Sequence, residues 1–382
     1  MALSMAPTNN LEELDPKWEF QYVKDVVRNG LCTFCGACIA LCDKIKVGDE
    51  VAHVEECAVD CPSCVPTCPR SDLVKSELEW KTFGKIRDDE TLGHFLESYT
   101  AKSNDAQVLK VCQDGGVTTS FFKYLLENDV VDGVISVKGN DWKAEGYLAR
   151  SFEELIEGAG TKYTSCPSLI DLVKAIMEQK LERLAFIGTP CQIQGIRSLL
   201  HTPDYKIIGD KVKVIVGLFC MESYYNSLLD ELIRGKLNLK TEDISKINIK
   251  GKFMKIYIKG KEEPQKVLLE DVKEHTRDAC HVCLDFASEL ADISIGSVGS
   301  SKQWCTVLTR TKLGTDLFKR AVNEGYIESK TVEDIEAVRK LSKKKQRINL
   351  ENIAEKIPMI QISGKSGINM ARIYRVYRWR RG

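Results

Sequence analysis

Short runs of aliphatic and β-branched residues alternate with helical periodicities through the middle of this chain. "VVDGVISV" (130–137), "RLAFIG" (183–188) and "KVKVIVGLFC" (211–220) are apolar enough to predict buried strands. Between them, "SLIDLVKAIMEQ" (168–179) and "NSLLDELIRGKL" (226–237) repeat apolar residues at three- and four-residue spacing, which predicts amphipathic helices. Strands alternating with helices predict an α/β core from about residue 106. A more antiparallel patch follows in "ISKINIKGKFMKIYIKGK" and "QKVLLEDV", with Gly–Lys turns. "ADISIGSVG" and "WCTVLTRT" read as further strands. "GTDLFKRAVNEG" and a lysine-rich helix near 332–356 close the fold. The pattern divides the chain into a cysteine-rich head (18–72), a charged helical connector (73–105), the α/β body (106–345) and a C-terminal extension (346–382). The fold class expected is α/β, with a mixed sheet and an N-terminal module.

Composition narrows the function classes. The 382 residues carry 55 basic and 55 acidic side chains, so overall charge selects no nucleic acid or anionic membrane partner. The first 20 residues lack a basic segment followed by an apolar one, and no apolar run approaches the ~20 residues of a membrane span. A cytoplasmic protein is expected. It has 15 cysteines, too many for scattered structural thiols in a reducing compartment, and eight of them fall between positions 32 and 68.

Those eight form two runs. "LCTFCGACIALC" gives Cys32, Cys35, Cys38 and Cys42 in the Cys-x2-Cys-x2-Cys-x3-Cys spacing of bacterial ferredoxins. "CAVDCPSCVPTCPR" gives Cys57, Cys61, Cys64 and Cys68, followed by Pro69. In that arrangement the fourth cysteine of each run serves the other cluster. Cys32, Cys35, Cys38 and Cys68 would hold one [4Fe–4S] cube, and Cys57, Cys61, Cys64 and Cys42 the other. Two departures bear on cluster geometry: three residues separate Cys57 from Cys61 where two are usual, and Asp43 stands where proline is usual. The competing reading is a zinc ribbon, but zinc takes its four ligands in two separated pairs, and two consecutive four-cysteine runs do not divide that way.

Three motifs in the body sit where strands give way to helices or loops. "CQDGGVTTSFFKYLL" (112–126) opens a helix with Gly115 and Gly116 and puts Thr118, Thr119 and Ser120 in its first turn, a pattern suited to a pyrophosphate or to an ordinary helix cap. "GAGTKYTSCPS" (158–168) is a loop carrying Lys162 and several hydroxyls. "GTPCQIQGIRSLL" (188–200) places Cys191 at a helix N-terminus, where thiolate is favoured. Cys220 ends the next strand. "DACHVC" adds Cys280 and Cys283. These four make a four-thiolate site, a redox dithiol with two bystanders, or buried free thiols; spacing leaves all three open.

In order along the chain, "QDGG-V-T", "GTKYT", "PCQ-QGIR", "G-FCMES", "C-VC-DF--ELADIS-GSVGS" and "W-TVLTRT" resemble the family of coenzyme F420 hydrogenase/dehydrogenase beta subunits over roughly residues 108 to 345. The resemblance implies an archaeal flavoprotein that exchanges hydride with coenzyme F420 through FAD. It also implies a third [4Fe–4S] cluster on Cys191, Cys220, Cys280 and Cys283. Carried residue by residue, it places FAD beside Gly115, Gly116, Val117 and Thr118, beside Thr161, Lys162, Tyr163 and Thr164, and beside Pro190 and Gln192. Glu222, Gly296 and Gly299 are further neighbours, and Lys162 and Arg310 are candidates for attracting the acidic coenzyme tail. No acid–base residue is implied, because hydride passes directly between stacked rings.

The implied partners are other subunits of a redox complex, of the hydrogenase, formate dehydrogenase, heterodisulfide reductase or membrane dehydrogenase type. Peripheral membrane association would come through them. The fused head is more like the dehydrogenase and sulfite-reductase members than the hydrogenase subunit. A related oxidoreductase with another hydride donor, or a flavin-free electron-transfer adaptor, are the alternatives. The tail "RIYRVYRWRRG" repeats Arg372, Arg375, Arg378 and Arg381 every three residues among aromatics, as a docking segment or a plain basic terminus.

Overall fold

The computed structural model describes residues 18–20, 22–55, 61, 64–70, 75–362 and 367–368. Cys57 and the basic tail lie outside the described residues. Eight strands form one mixed sheet. Their order is Ile327–Thr331, Glu97–Ser103, Cys305–Thr309, Ile293–Gly296, Val212–Leu218, Leu184–Gly188, Gly133–Asn140 and Lys143–Ala149. The run from Ile293–Gly296 to Gly133–Asn140 is parallel, and both flanks are antiparallel.

The central strands are apolar on both faces because helices cover both. In "LAFIG", Leu184 and Phe186 pack with the helices Leu169–Met177 and Pro190–Leu200. Ala185 and Ile187 point the other way, into the helices Val117–Glu127 and Lys312–Asn323. A smaller core joins the antiparallel sheet of Ile244–Lys250, Phe253–Ile258 and Gln265–Leu268 to the segment Leu228–Lys236. That segment winds as a π-helix rather than the α-helix its periodicity predicts.

Two expectations from the pattern change. The connector read as helical is helical over Lys75–Phe83, but Glu97–Ser103 is an inner strand of the large sheet. Its charged ends, Glu97 and Lys102, hide a strand that is defined by pairing with Cys305–Thr309 and Ile327–Thr331, more than 200 residues away. The boundary drawn at residue 345 falls inside the continuous helix Ile335–Ile362.

The head builds on the short helix Ala37–Leu41 and the hairpin Ile45–Val47/Ala52–Val54. It packs directly on the body. Gly36 has φ of 93°, and a Cβ there would lie 2.5 Å from the Pro167 carbonyl oxygen, so only glycine permits this approach. The Leu169 N–H donates to the Cys35 carbonyl at 3.2 Å. Arg277 of the body donates from Nη2 to the Glu50 carbonyl at 2.7 Å.

Arg310 is fully buried. Its guanidinium donates to the Leu92, His94 and Ala287 carbonyls at 2.7, 2.7 and 2.9 Å and to Ser294 Oγ at 2.6 Å. It ties the connector to the sheet and cannot reach a coenzyme tail, which corrects the role the resemblance suggested. Replacing it with methionine strands three carbonyls, and we expect a loss of about 3 kcal/mol or more in denaturant unfolding. Arg310→Lys should recover little of that, because one ammonium lacks the planar fork.

Candidate functional site

The helix Val117–Glu127 starts at the C-terminal edge of the sheet because Gly116 turns there with φ of 71°; a Cβ would meet Val108 Cγ1 at 2.7 Å. The turn aims the helix N-terminus, with Thr118 and Thr119, into a cleft of about 330 Å³. That size and lining suit a small-molecule site. Its apolar walls come from Val117, Phe122, Leu155, Ile187, Leu218, Phe219, Ile249 and Ile295.

The loop 158–168 forms the opposite wall. Lys162 Nζ donates to the Gly158, Ala159 and Gly160 carbonyls at 2.7, 2.9 and 3.1 Å, so this side chain folds its own loop. Burial pulls its ammonium down to about 8. Tyr163 OH accepts from the Ile249 N–H at 3.1 Å, and Thr164 Oγ1 accepts from the Ala144 N–H at 2.9 Å. Gln192 joins this loop to the next helix. Its Oε1 accepts from the Thr189 N–H at 2.9 Å, and its Nε2 donates to the Cys166 carbonyl and Ser168 Oγ at 3.0 and 2.9 Å.

Eight of the ten residues carried over for FAD line this cleft: Gly116, Val117, Thr118, Thr161, Lys162, Tyr163, Thr164 and Gln192. Two do not. Gly115 packs behind it and donates its N–H to Cys305 Sγ at 3.3 Å, and Pro190 lines the cysteine cavity next door. Of the looser candidates, Gly296 lines the cleft, whereas Glu222 and Gly299 are not among its lining residues. Glu222 instead accepts from Tyr224 OH at 2.8 Å. Sequence reasoning missed Phe219, Ser136, Asn248 and Ile249, which reach the cleft through tertiary packing and carry no local motif.

The neighbouring cavity gathers Cys191, Cys220, Cys280 and Cys283. The parallel strands Leu184–Gly188 and Val212–Leu218 deliver the first two at adjacent ends, and the turn Asp278–Val282 presents the second pair. Burial raises the thiols of Cys191 and Cys220, and brings Cys280 to about 12. The thiolate preference expected of Cys191 from its helix N-terminus is thus overridden by desolvation. Cys283 goes the other way: burial pushes it up, but Lys345 and Arg70 pull it below the ordinary thiol range.

Lys345 is buried against this cavity and donates to the Cys220 and Asp285 carbonyls, both at 2.7 Å. Desolvation works against its charge, yet the facing cysteines hold its ammonium above the usual lysine range. Asn349 donates to the Cys280 and Cys283 carbonyls at 2.8 and 2.6 Å. Four thiols lining one cavity with three buried cations, Lys345, Arg70 and Arg277, form a donor set suited to an anionic, thiolate-ligated centre. Among the described residues, no three histidine, cysteine or carboxylate groups converge on a point that a single metal ion could occupy.

The head cysteines fall into two further sets. Cys32, Cys35, Cys38 and Cys68 act on one another electrostatically, raising the buried thiols further after desolvation has done so, and Cys64 acts on Cys38 in the same way, which sets the second group beside the first. Cys42, Cys61 and Cys64 line a separate small cavity. Cys35 also feels Cys191, so the first head set lies beside the body's four. Thr189 and Ser165 line both the cleft and the four-cysteine cavity, which makes those two neighbours as well. Cys112, Cys166 and Cys305, given no ligand role, line the cleft.

Two family models, described as the N- and C-terminal parts of the coenzyme F420 hydrogenase/dehydrogenase beta subunit, match residues 98–172 and 181–335. The beta subunit of the coenzyme F420 hydrogenase of Methanothermobacter thermautotrophicus is 36% identical over 276 residues, 70% of this chain and 97% of the relative. A subunit of the F(420)H(2) dehydrogenase of Methanosarcina mazei is 31% identical over 351 residues, 87% of this chain and 94% of the relative. A chain in the F420-reducing [NiFe] hydrogenase complex of Methanosarcina barkeri superposes with a TM-score of 0.67 at 32% identity, covering 70% of this chain and 94% of that one. This chain belongs to the family of coenzyme F420 hydrogenase/dehydrogenase beta subunits.

Proposed function

We propose that the chain is the coenzyme-F420-reacting subunit of a larger redox complex, holding FAD in the cleft and [4Fe–4S] clusters in the three cysteine sets. FAD held there would supply the conversion such a subunit needs, between hydride exchange with a deazaflavin and single-electron exchange with an iron–sulfur centre. The observation that carries this reading is the order of the sites: cleft, four-cysteine cavity, first head set, second head set, each beside the next.

The chain's own residues have definable tasks. The N-terminus of Val117–Glu127, with Thr118 and Thr119, favours an anionic group. Phe219, Ile249 and Ile295 exclude water from the cleft. Lys162 and Gln192 hold the wall between cleft and cysteines. Lys345 and Asn349 hold the cysteine loops and balance charge there. No described residue is assigned a proton transfer. The longer match to the dehydrogenase relative than to the hydrogenase relative, 351 against 276 residues, supports a partner reached through the fused head.

The deciding experiment uses the whole chain, reconstituted anaerobically with iron, sulfide and FAD. Reduced coenzyme F420 should bleach the flavin absorbance and pass electrons on to a viologen dye, and NADH should do neither. Bleaching by NADH alone would reject F420 as the donor, and clusters without bound flavin would leave only an electron conduit. In the same preparation, Cys220→Ser should lose about four iron atoms per chain, one cube's worth. Cys166→Ser should lose none.

The titration of Lys162 gives a pH signature. Its ammonium is depressed from the ordinary lysine value to about 8, so it is charged below that pH and neutral above. Rising pH therefore removes a charge and a donor from the loop. FAD affinity should fall about fivefold as pH rises through 8, read by flavin fluorescence titration. Lys162→Met should show the weaker affinity at every pH.

A further inference from the structure

Arg70 belongs to the head, two residues after Cys68, yet its side chain ends in the body's four-cysteine cavity. It is 6% exposed. Its Nη2 donates to the Ala279 carbonyl at a long 3.4 Å, and Nε is buried with no partner. Among the described residues no carboxylate pairs with it.

A second guanidinium in the same lining makes the contrast. Arg277 donates from Nη2 to the Glu50 carbonyl at 2.7 Å, and its Nη1 lies 3.6 Å from Glu50 Oε1. Its plane also stacks over Tyr225 at 4.7 Å. Arg277 therefore has its compensation within the protein. Arg70 does not, and an uncompensated buried guanidinium is unfavourable unless something else in its surroundings is negative. What faces it is the cysteine set: its charge favours thiolate at Cys191 and Cys283, and at Cys68 on the head side.

We propose that Arg70 is an electrostatic tuning residue, supplied by the head, that makes uptake of an electron at the body's four-thiolate site more favourable. The proposal rests on the function proposed for these four cysteines, that they hold an iron–sulfur cluster. Reduction adds one electron there, with no bond or proton change, and makes the site more negative by one charge. A fixed cation at the wall offsets that charge. Because Arg70 is carried by the chain that follows Cys68, the potential of the body site depends on the head being docked.

The test compares the full-length wild type with Arg70→Gln and Arg70→Lys, all reconstituted anaerobically. Iron and sulfide per chain are measured first. The midpoint potential of the body cluster is then followed by electron paramagnetic resonance, its signal identified as the one that Cys220→Ser removes. Arg70→Gln should lower the reduced-to-oxidised ratio at a fixed potential about tenfold, a shift of about 59 mV to the negative for one electron. Arg70→Lys, which keeps the charge, should stay near the wild type. An unchanged midpoint in Arg70→Gln at full iron content overturns the proposal. So does an equal shift in Arg70→Lys, which would make shape rather than charge responsible. If the wild type has no signal that Cys220→Ser removes, the cluster reading itself falls, and the role of Arg70 with it.

Discussion

The body's cysteine site depends on a helix that is amphipathic in the wrong sense. Along Ile335–Ile362 the buried stripe includes Ser342, Lys345, Gln346 and Asn349, while Lys343, Lys344 and Arg347 face solvent. Each buried polar group donates to a backbone carbonyl elsewhere: Ser342 to Thr91, Lys345 to Cys220 and Asp285, Gln346 to Glu90, Asn349 to Cys280 and Cys283. Asn352 continues the row to His281. The loops that present cysteines are irregular: the Cys280 carbonyl also accepts from the Cys283 N–H at 3.2 Å, whereas the Cys220 and Cys283 carbonyls are served by this helix. Left unmade, those hydrogen bonds would be costly in a dry interior. One helix supplies them, and it also supplies the cation that thiolates require.

Much of the candidate site was legible because its chemistry is concentrated in residue types with few other uses. Cysteine clusters, paired glycines before a hydroxyl-rich helix turn, and a loop with one lysine stand out from their surroundings. The parallel strands were equally plain, since burial on both faces leaves an unbroken apolar run such as "LAFIG". Glu97–Ser103 was not, because its strand character comes from distant partners rather than from its own alternation. Lys345 was hidden by its neighbours in "KKKQR", where a lysine-rich run reads as a solvated face; only three-dimensional packing singles out one of the three. Arg310 was misread for the same reason: its environment, not its type, makes it structural.

Electrostatics explains why the two halves need each other. The body places four thiols in an interior that resists their ionisation, and one of its two compensating cations arrives from the head. The exchange is reciprocal, since Arg277 of the body donates to two head carbonyls, that of Cys32 and that of Glu50 in the turn of the head's hairpin. Crossed arginines of this kind make the junction specific as well as stable, because displacement on either side leaves a guanidinium buried without its partner.

The same junction reaches the cleft. Pro167, against which Gly36 packs, and Leu169, which donates to the Cys35 carbonyl, bound the loop whose other end carries Thr161, Lys162, Tyr163 and Thr164. That loop is fixed at its C-terminal end by Gln192, on the helix that begins at Pro190 beside Cys191. One short segment is therefore the wall of the cleft, a border of the cysteine cavity and part of the head's docking surface. A change in any one of the three must be transmitted through hydrogen bonds to backbone atoms, which have little freedom to absorb it. The contiguity of the sites is thus built from the main chain itself, and side chains such as Lys162, Gln192 and Asn349 serve to keep that main chain in place.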